Sequence, residues 1–317
     1  MKKFFIEVKD IAVCTINGFV EDRVMKLSAS LAYYTILAMS PLLMVIISVA
    51  SMLYEQQAIE NQIYNELSDL LGSELALEIQ KFVLNSSVTG ENSIALISGV
   101  AVMIVAATAV FMDMQSSLNL IWQVKAKPKR GWLKMIKNRV LSFSLIVSLS
   151  FTLLVSMMLN AVVSALGRYF FDLFTDYNEG LEAIFFVVNQ IISLLISAVI
   201  FTLIFKILPD VKMKWKAAFI GGIFTTVLFT LGQLGIGFYL DQFQPGLNFG
   251  SAGSIVAILV WVYYTAVIVY LGAEFTQVYA EKYGVGIQPS ENAVYLKITE
   301  EEQNVDILPK RHPDETT

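Results

Sequence analysis

Two acids stand inside stretches that are otherwise apolar. Asp113 lies in VFMDMQSSLNLIW, at helical spacing from Ala106, Ala109, Ser116 and Ser117. Glu274 lies in YLGAEFTQ, at helical spacing from Tyr263, Ala266, Tyr270 and Gln277. A carboxyl group in an apolar span is costly, so it either pairs with a base at the membrane interface or binds and relays protons or cations. Other chemistry has few parts to work with. The one histidine, His312, is in a polar tail, and the one cysteine, Cys14, excludes an intrachain disulfide. Metal-assisted hydrolysis needs a cluster of ligands, and metal-free cleavage needs a positioned acid and base. The sequence predicts no catalytic, metal-binding or cofactor-binding residue.

The elements that hold these acids are hydrophobic helices. The chain has 317 residues, of which 56% are hydrophobic and only 15% charged, with a mean hydropathy of +0.64. A soluble domain would be less apolar and more charged. A helix needs about 20 mainly apolar residues to cross the hydrocarbon core. Six windows qualify, at 27–53, 94–121, 140–166, 183–208, 217–240 and 253–278. Their backbone groups must be satisfied internally, and none alternates like a barrel strand, so they are read as helices. The expected fold is an all-α polytopic membrane protein.

Lys and Arg set its orientation. They crowd the connection after the second span (Lys125, Lys127, Lys129, Arg130, Lys134, Lys137, Arg139) and the one after the fourth (Lys206, Lys212, Lys214, Lys216). The N-terminal segment has Lys2, Lys3, Lys9, Arg23 and Lys26, while the other three connections hold only Lys81 and Arg168. Six spans with both termini in the cytoplasm fit this pattern. Residues 1–26 form an amphipathic segment lying on the membrane, with Phe4, Phe5, Val8, Ile11, Ala12 and Phe19 on its apolar side. The bundle occupies 27–280. An amphipathic external helix is expected within 54–93, where Ile59, Ile63, Leu67, Leu70 and Leu71 recur. The acidic tail, 281–317, is expected to be disordered.

The second and sixth spans run from outside to inside, so Asp113 and Glu274 lie near helix C-termini. The helix dipole disfavours a carboxylate there by about 0.3–1 kcal/mol. A nearby base should compensate, with Arg139, Lys206 and Lys26 as candidates. In SLAYYTILAMSPLLMVII, Ser28, Ala32, Thr35 and Met39 share one face, and Ser30, Tyr34, Leu37 and Pro41 another. This suits either tight helix packing or the lining of a cavity, and Pro41 should kink the helix. Small residues in the fifth and sixth spans, among them Gly221, Gly222, Gly250 and Gly253, suit close helix contact.

Four motifs in order resemble one family. ASLAYYTILAMSPLL, FMDMQSSLNLIW, LPDVKMKWKAAFIGG and FGSAGSIVAILVWVYYTAVIVYLGAEFTQ are similar to the YihY/virulence factor BrkB family over about residues 10–283. The residues matching its pattern are Tyr33, Tyr34, Pro41, Asn119, Trp122, Pro209, Trp215, Gly250, Gly253, Trp261, Tyr263, Gly272 and Glu274. The resemblance implies a six-helix inner-membrane protein and a link to virulence and serum resistance. It implies no settled activity, since members have been described both as transporter or permease candidates and as ribonuclease BN. The parts for RNA hydrolysis are missing, and the positive-inside rule already explains the basic loops, so no nucleic-acid partner is expected. Two readings stay open. One is a transporter of a lipid, amphipath or small solute, with Tyr33, Tyr34, Pro41, Asp113, Asn119, Tyr263, Tyr270 and Glu274 as pathway or packing residues. The other is a non-transporting envelope scaffold. Membrane lipids are the expected partners, and either reading allows a homo-oligomer.

Overall fold

A computed structural model describes residues 2–50, 93–127, 179–243, 253–284, 286–291 and 293–297. Six helices lie within them: α1 (Lys2–Glu21), α2 (Val24–Ala50), α3 (Ser93–Ile121), α4 (Glu179–Ile207), α5 (Trp215–Phe243) and α6 (Gly253–Tyr283). The third expected span, 140–166, and the expected external helix within 54–93 lie almost wholly outside the described residues, as does Gly250. Three of the described helices have stretches long and apolar enough to cross a membrane, at Gln190–Ile207, Trp215–Gln233 and Ile258–Tyr283. α2 stays helical through Pro41.

α6 is the hub, packing against α1, α2, α3 and α5; α3 packs on α2, and α4 on α5. α4 and α5 each expose a stripe of large apolar residues, as a lipid environment demands, and bury small or threonine residues where they meet their neighbours. On α4, Val187, Ile191, Leu195 and Val199 repeat every four residues on the exposed side, while Ala198, Phe201, Thr202 and Phe205 are buried. On α5, Phe219, Ile223, Val227 and Leu231 form the exposed stripe, and Ala217, Ala218, Thr225 and Thr226 face inward.

Glycine and threonine interlock α5 with α6. A Cβ on Gly221 would collide with Thr276, and a Cβ on Gly272 with Thr225. Each threonine hydroxyl donates within its own helix, Thr225 to the Gly221 carbonyl at 2.8 Å and Thr276 to the Gly272 carbonyl at 2.6 Å. Each glycine therefore receives the opposite threonine, whose polar group is already satisfied. Gly222 receives Thr202 of α4 in the same way.

The residues after α6 depart from the expected disorder. β3 (Gln288–Pro289) pairs antiparallel with β2 (Val211–Lys212), and β4 (Ala293–Tyr295) with β1 (Val124–Ala126). The Ser290 and Leu296 amides donate to the Asp210 and Gln123 carbonyls at 2.9 and 2.8 Å. These bonds strap the start of the tail across the connections that follow α3 and α4. Strands of two or three residues leave no periodicity to read in the sequence. Residues 298–317 lie outside the described residues.

Candidate functional site: a line of buried polar groups along α6

The site begins where α1 meets the end of α6. Thr15, Gly18 and Asp22 recur at helical spacing and face α6, with Thr15 buried. The larger aliphatic residues Ile6, Val13, Ile16 and Val20 are exposed. Of the apolar side expected for this segment, Val8 and Ala12 are exposed, whereas Ile11 and Phe19 are partly buried. As elsewhere in the bundle, α1 turns its small and polar stripe inward. Arg23, at φ 52°, makes the left-handed turn into α2.

Gly18 is where α1 comes closest. A Cβ there would lie 2.5 Å from Glu274 Oε2 and 3.1 Å from its carboxyl carbon. Glu274 is 3% exposed, and its Oε1 has no hydrogen-bond partner. The side chain facing it is a second acid: the Asp22 carboxyl is within hydrogen-bonding reach. Burial pushes Asp22 above the usual carboxylate range, the bond to Glu274 opposes this, and the charge of Glu21 adds to it.

One turn further along α6, the fully buried Tyr270 places its hydroxyl against Ser117 of α3 without a well-formed hydrogen bond. Asp113 is near it, accepting a hydrogen bond from Ser30 of α2 at 2.7 Å, while its Oδ2 is unpartnered. The line therefore runs Asp22, Glu274, Tyr270, Asp113. Thr15, Glu274, Tyr270 and Asp113 each have a buried polar atom without a partner. Leaving such a group unsatisfied costs about 1–3 kcal/mol.

Among the described residues, neither Lys206 nor Lys26 is bonded to these acids. Lys206 donates to the Met213 carbonyl and lies 5.5 Å from the Trp215 ring centroid. Lys26 is exposed on the first turn of α2, and Arg139 lies outside the described residues. Asp113 is met by a hydroxyl and Glu274 by another acid.

Other expected site residues fall elsewhere. Asn119 forms a two-way clamp with Asp210, its Nδ2 donating to Asp210 Oδ2 and its Oδ1 accepting from the Asp210 amide, each at 2.9 Å. Gln115 adds a bond of 3.4 Å to the same carboxylate oxygen. Trp122 Nε1 donates to the Ala273 carbonyl at 3.1 Å, pinning the end of α3 beside Glu274. Tyr33 and Tyr34 are 58% and 38% exposed and contact each other edge to face, outside the polar line. Tyr263 is half-buried. Its neighbour Tyr264 presses its hydroxyl against Gly232, a contact the sequence did not single out. Gly253 opens α6, and the side chain of Pro41 is outside what is described. Among the described residues, no group of three or more His, Cys, Asp or Glu could hold a metal ion.

The family model described as virulence factor BrkB matches residues 15–294. A UPF0761 membrane protein of Tolumonas auensis is 26% identical over 265 residues, covering 82% of each chain. One of Vibrio campbellii is 29% identical over 269 residues, covering 82% of this chain and 79% of that one. A longer one, of Saccharophagus degradans, is 28% identical over 83% of this chain, which spans 58% of that relative's length. No solved structure matches the chain. The matched segment starts at Thr15 and contains Asp22, Asp113, Tyr270 and Glu274.

Proposed function

The chain belongs to the virulence factor BrkB family, and from that premise we propose that it is a multi-pass inner-membrane transporter. Its substrate class is a lipid, an amphipath or a small solute, and the pathway enters along the polar face of α6. The observation that carries this reading is Glu274, buried at 3% exposure with an unpartnered oxygen and a second acid beside it. A protein under selection for stability alone would replace or neutralise such a group, because burying an uncompensated charge is expensive. Transport gives the group a use. It can exchange a proton or a ligand as the surrounding helices rearrange.

The six-span arrangement with cytoplasmic termini belongs to the same proposal. Its support is that α1 lies along the last turns of α6: the Tyr283 hydroxyl bonds Glu7 at 3.1 Å, and Lys282 pairs with Asp10 at 3.8 Å. The N-terminal helix and the end of the last span therefore share one side, as an even number of crossings requires. The reading includes no ribonuclease step, since the only histidine is His312. Homo-oligomers remain compatible with it.

The test uses purified protein in vesicles holding a pH-sensitive dye and a fluorescent phospholipid. Wild-type protein is expected to move protons or the lipid faster than empty vesicles do. Glu274→Gln is expected to stop that movement while eluting and unfolding like wild type. Wild-type vesicles indistinguishable from empty ones, or full flux in Glu274→Gln, would count against transport.

The scaffold reading draws on one observation, the tail segment strapped across two cytoplasmic connections by β3 and β4. Removing residues 298–317 leaves that strap intact. A transporter should tolerate the removal, whereas a scaffold working through its tail should not.

A further inference from the structure

We propose that Asp22 and Glu274 share a single proton, and that this proton holds α1 against the end of α6. Two carboxyl groups in contact cannot both ionise without strong repulsion, and burial in low dielectric sharpens the conflict. With one proton between them, one acid donates an O–H to the other and repulsion becomes a hydrogen bond. Proton loss from the shared site leaves two carboxylates face to face. α1 carries one of them and is the element that can move away.

The local packing is built around this contact. Gly18 lets the backbone of α1 rest on the Glu274 carboxyl, where a Cβ would come within 2.5 Å of Oε2. Glu274 Oε1 beside it is buried and unpartnered. The surrounding charges do not neutralise it. Glu21 adds a negative charge from α1. Arg23 in the turn is exposed. Lys26 of α2 is exposed. On α6, Tyr270 lies one turn inward, with Asp113 of α3 beyond it. Toward the far end of the α1–α6 contact, Lys282 is committed to Asp10 and to the Glu7 carbonyl, and Tyr283 to Glu7. Those bonds tether the start of α1, so undocking shifts the segment around Gly18 and Asp22 about the turn at Arg23.

The direction with pH follows. Asp22 is raised in the docked state, so its contribution to docking is complete below its ordinary range and is lost as pH rises through the raised value. Making α1 the cytoplasmic gate of a pathway rests on the transport reading. The docking equilibrium itself does not, and can be measured without any substrate.

Cys14 is the only cysteine, is exposed, and lies on α1. A nitroxide attached there in the full chain, in lipid nanodiscs, reports α1 motion between pH 5 and pH 10. The expected result is an immobile spectrum at low pH that becomes mobile in a single transition. Asp22→Asn and Glu274→Gln, each tested by itself, should stay immobile throughout, because an amide can donate to the remaining carboxyl. Gly18→Val should be mobile at every pH. No transition in wild type, or an unchanged midpoint in Asp22→Asn, would overturn the proposal. A midpoint that follows sodium or potassium concentration at constant ionic strength would overturn the proton as occupant. Flux measured on the same samples separates the two ideas: a missing transition with intact flux defeats the clasp alone, and an intact transition without flux defeats transport alone.

Discussion

α6 meets α5 and α1 through contacts of opposite character. Against α5, each glycine takes the other helix's threonine, and both hydroxyls are bonded to carbonyls of their own helix. Against α1, a glycine also permits the approach, but what it admits is a carboxyl with an unpartnered oxygen beside a second acid. Close approach through glycine is the shared device, while satisfaction of the polar groups differs. A satisfied contact serves the fold. An unsatisfied one persists where something other than stability maintains it.

Substitutions can break or sharpen this contrast. The largest effect is expected at the α5–α6 notch. Gly272→Leu forces a side chain into Thr225, and overpacking of this kind costs about 1–3 kcal/mol or more. The measurement is the midpoint of unfolding in detergent, which should fall sharply or disappear along with monodisperse protein. Asn119→Ala comes next. It leaves the Asp210 amide without its partner and the carboxylate with only the long bond from Gln115, at a cost of about 1–3 kcal/mol, and should also loosen the strapped tail, read as faster amide exchange at Ser290. Thr276→Val keeps the shape of the notch and removes a hydroxyl bonded inside its own helix, so a loss of about 0.5–1.5 kcal/mol is expected in the same unfolding measurement. The smallest stability effect is expected at Glu274→Gln, at or slightly above the wild-type value.

Part of this was legible in the chain itself. Long apolar windows announced the helices, and the small residues of α5 and α6 announced close contact, because lipid leaves little else to drive association. Asp113 and Glu274 stood out because a charge in an apolar window is rare. Their partners did not. The Ser30 contact to Asp113 spans 83 positions, and Asp22 lies in a polar N-terminal segment where an acid attracts no notice. Reading α1 by hydrophobicity drew attention to its apolar side and passed over Gly18 and Asp22, which meet Glu274. The dipole argument required a base beside each acid. It did not consider that a hydroxyl, as at Asp113, or a second acid, as at Glu274, could face the carboxyl instead. Tyr33 and Tyr34 look polar in sequence, yet their rings contact each other on an exposed face. The tail ribbons were invisible because strands this short are selected by their partners, Val124–Ala126 and Val211–Lys212, rather than by their own pattern.

The most direct measurement is the unfolding midpoint and the vesicle flux of Glu274→Gln, taken from one preparation beside wild type. If the acid is kept for function at some expense of stability, the midpoint should match or exceed wild type while flux is lost. A lower midpoint with flux reduced only in proportion to folded protein would make Glu274 a structural residue and contradict the account.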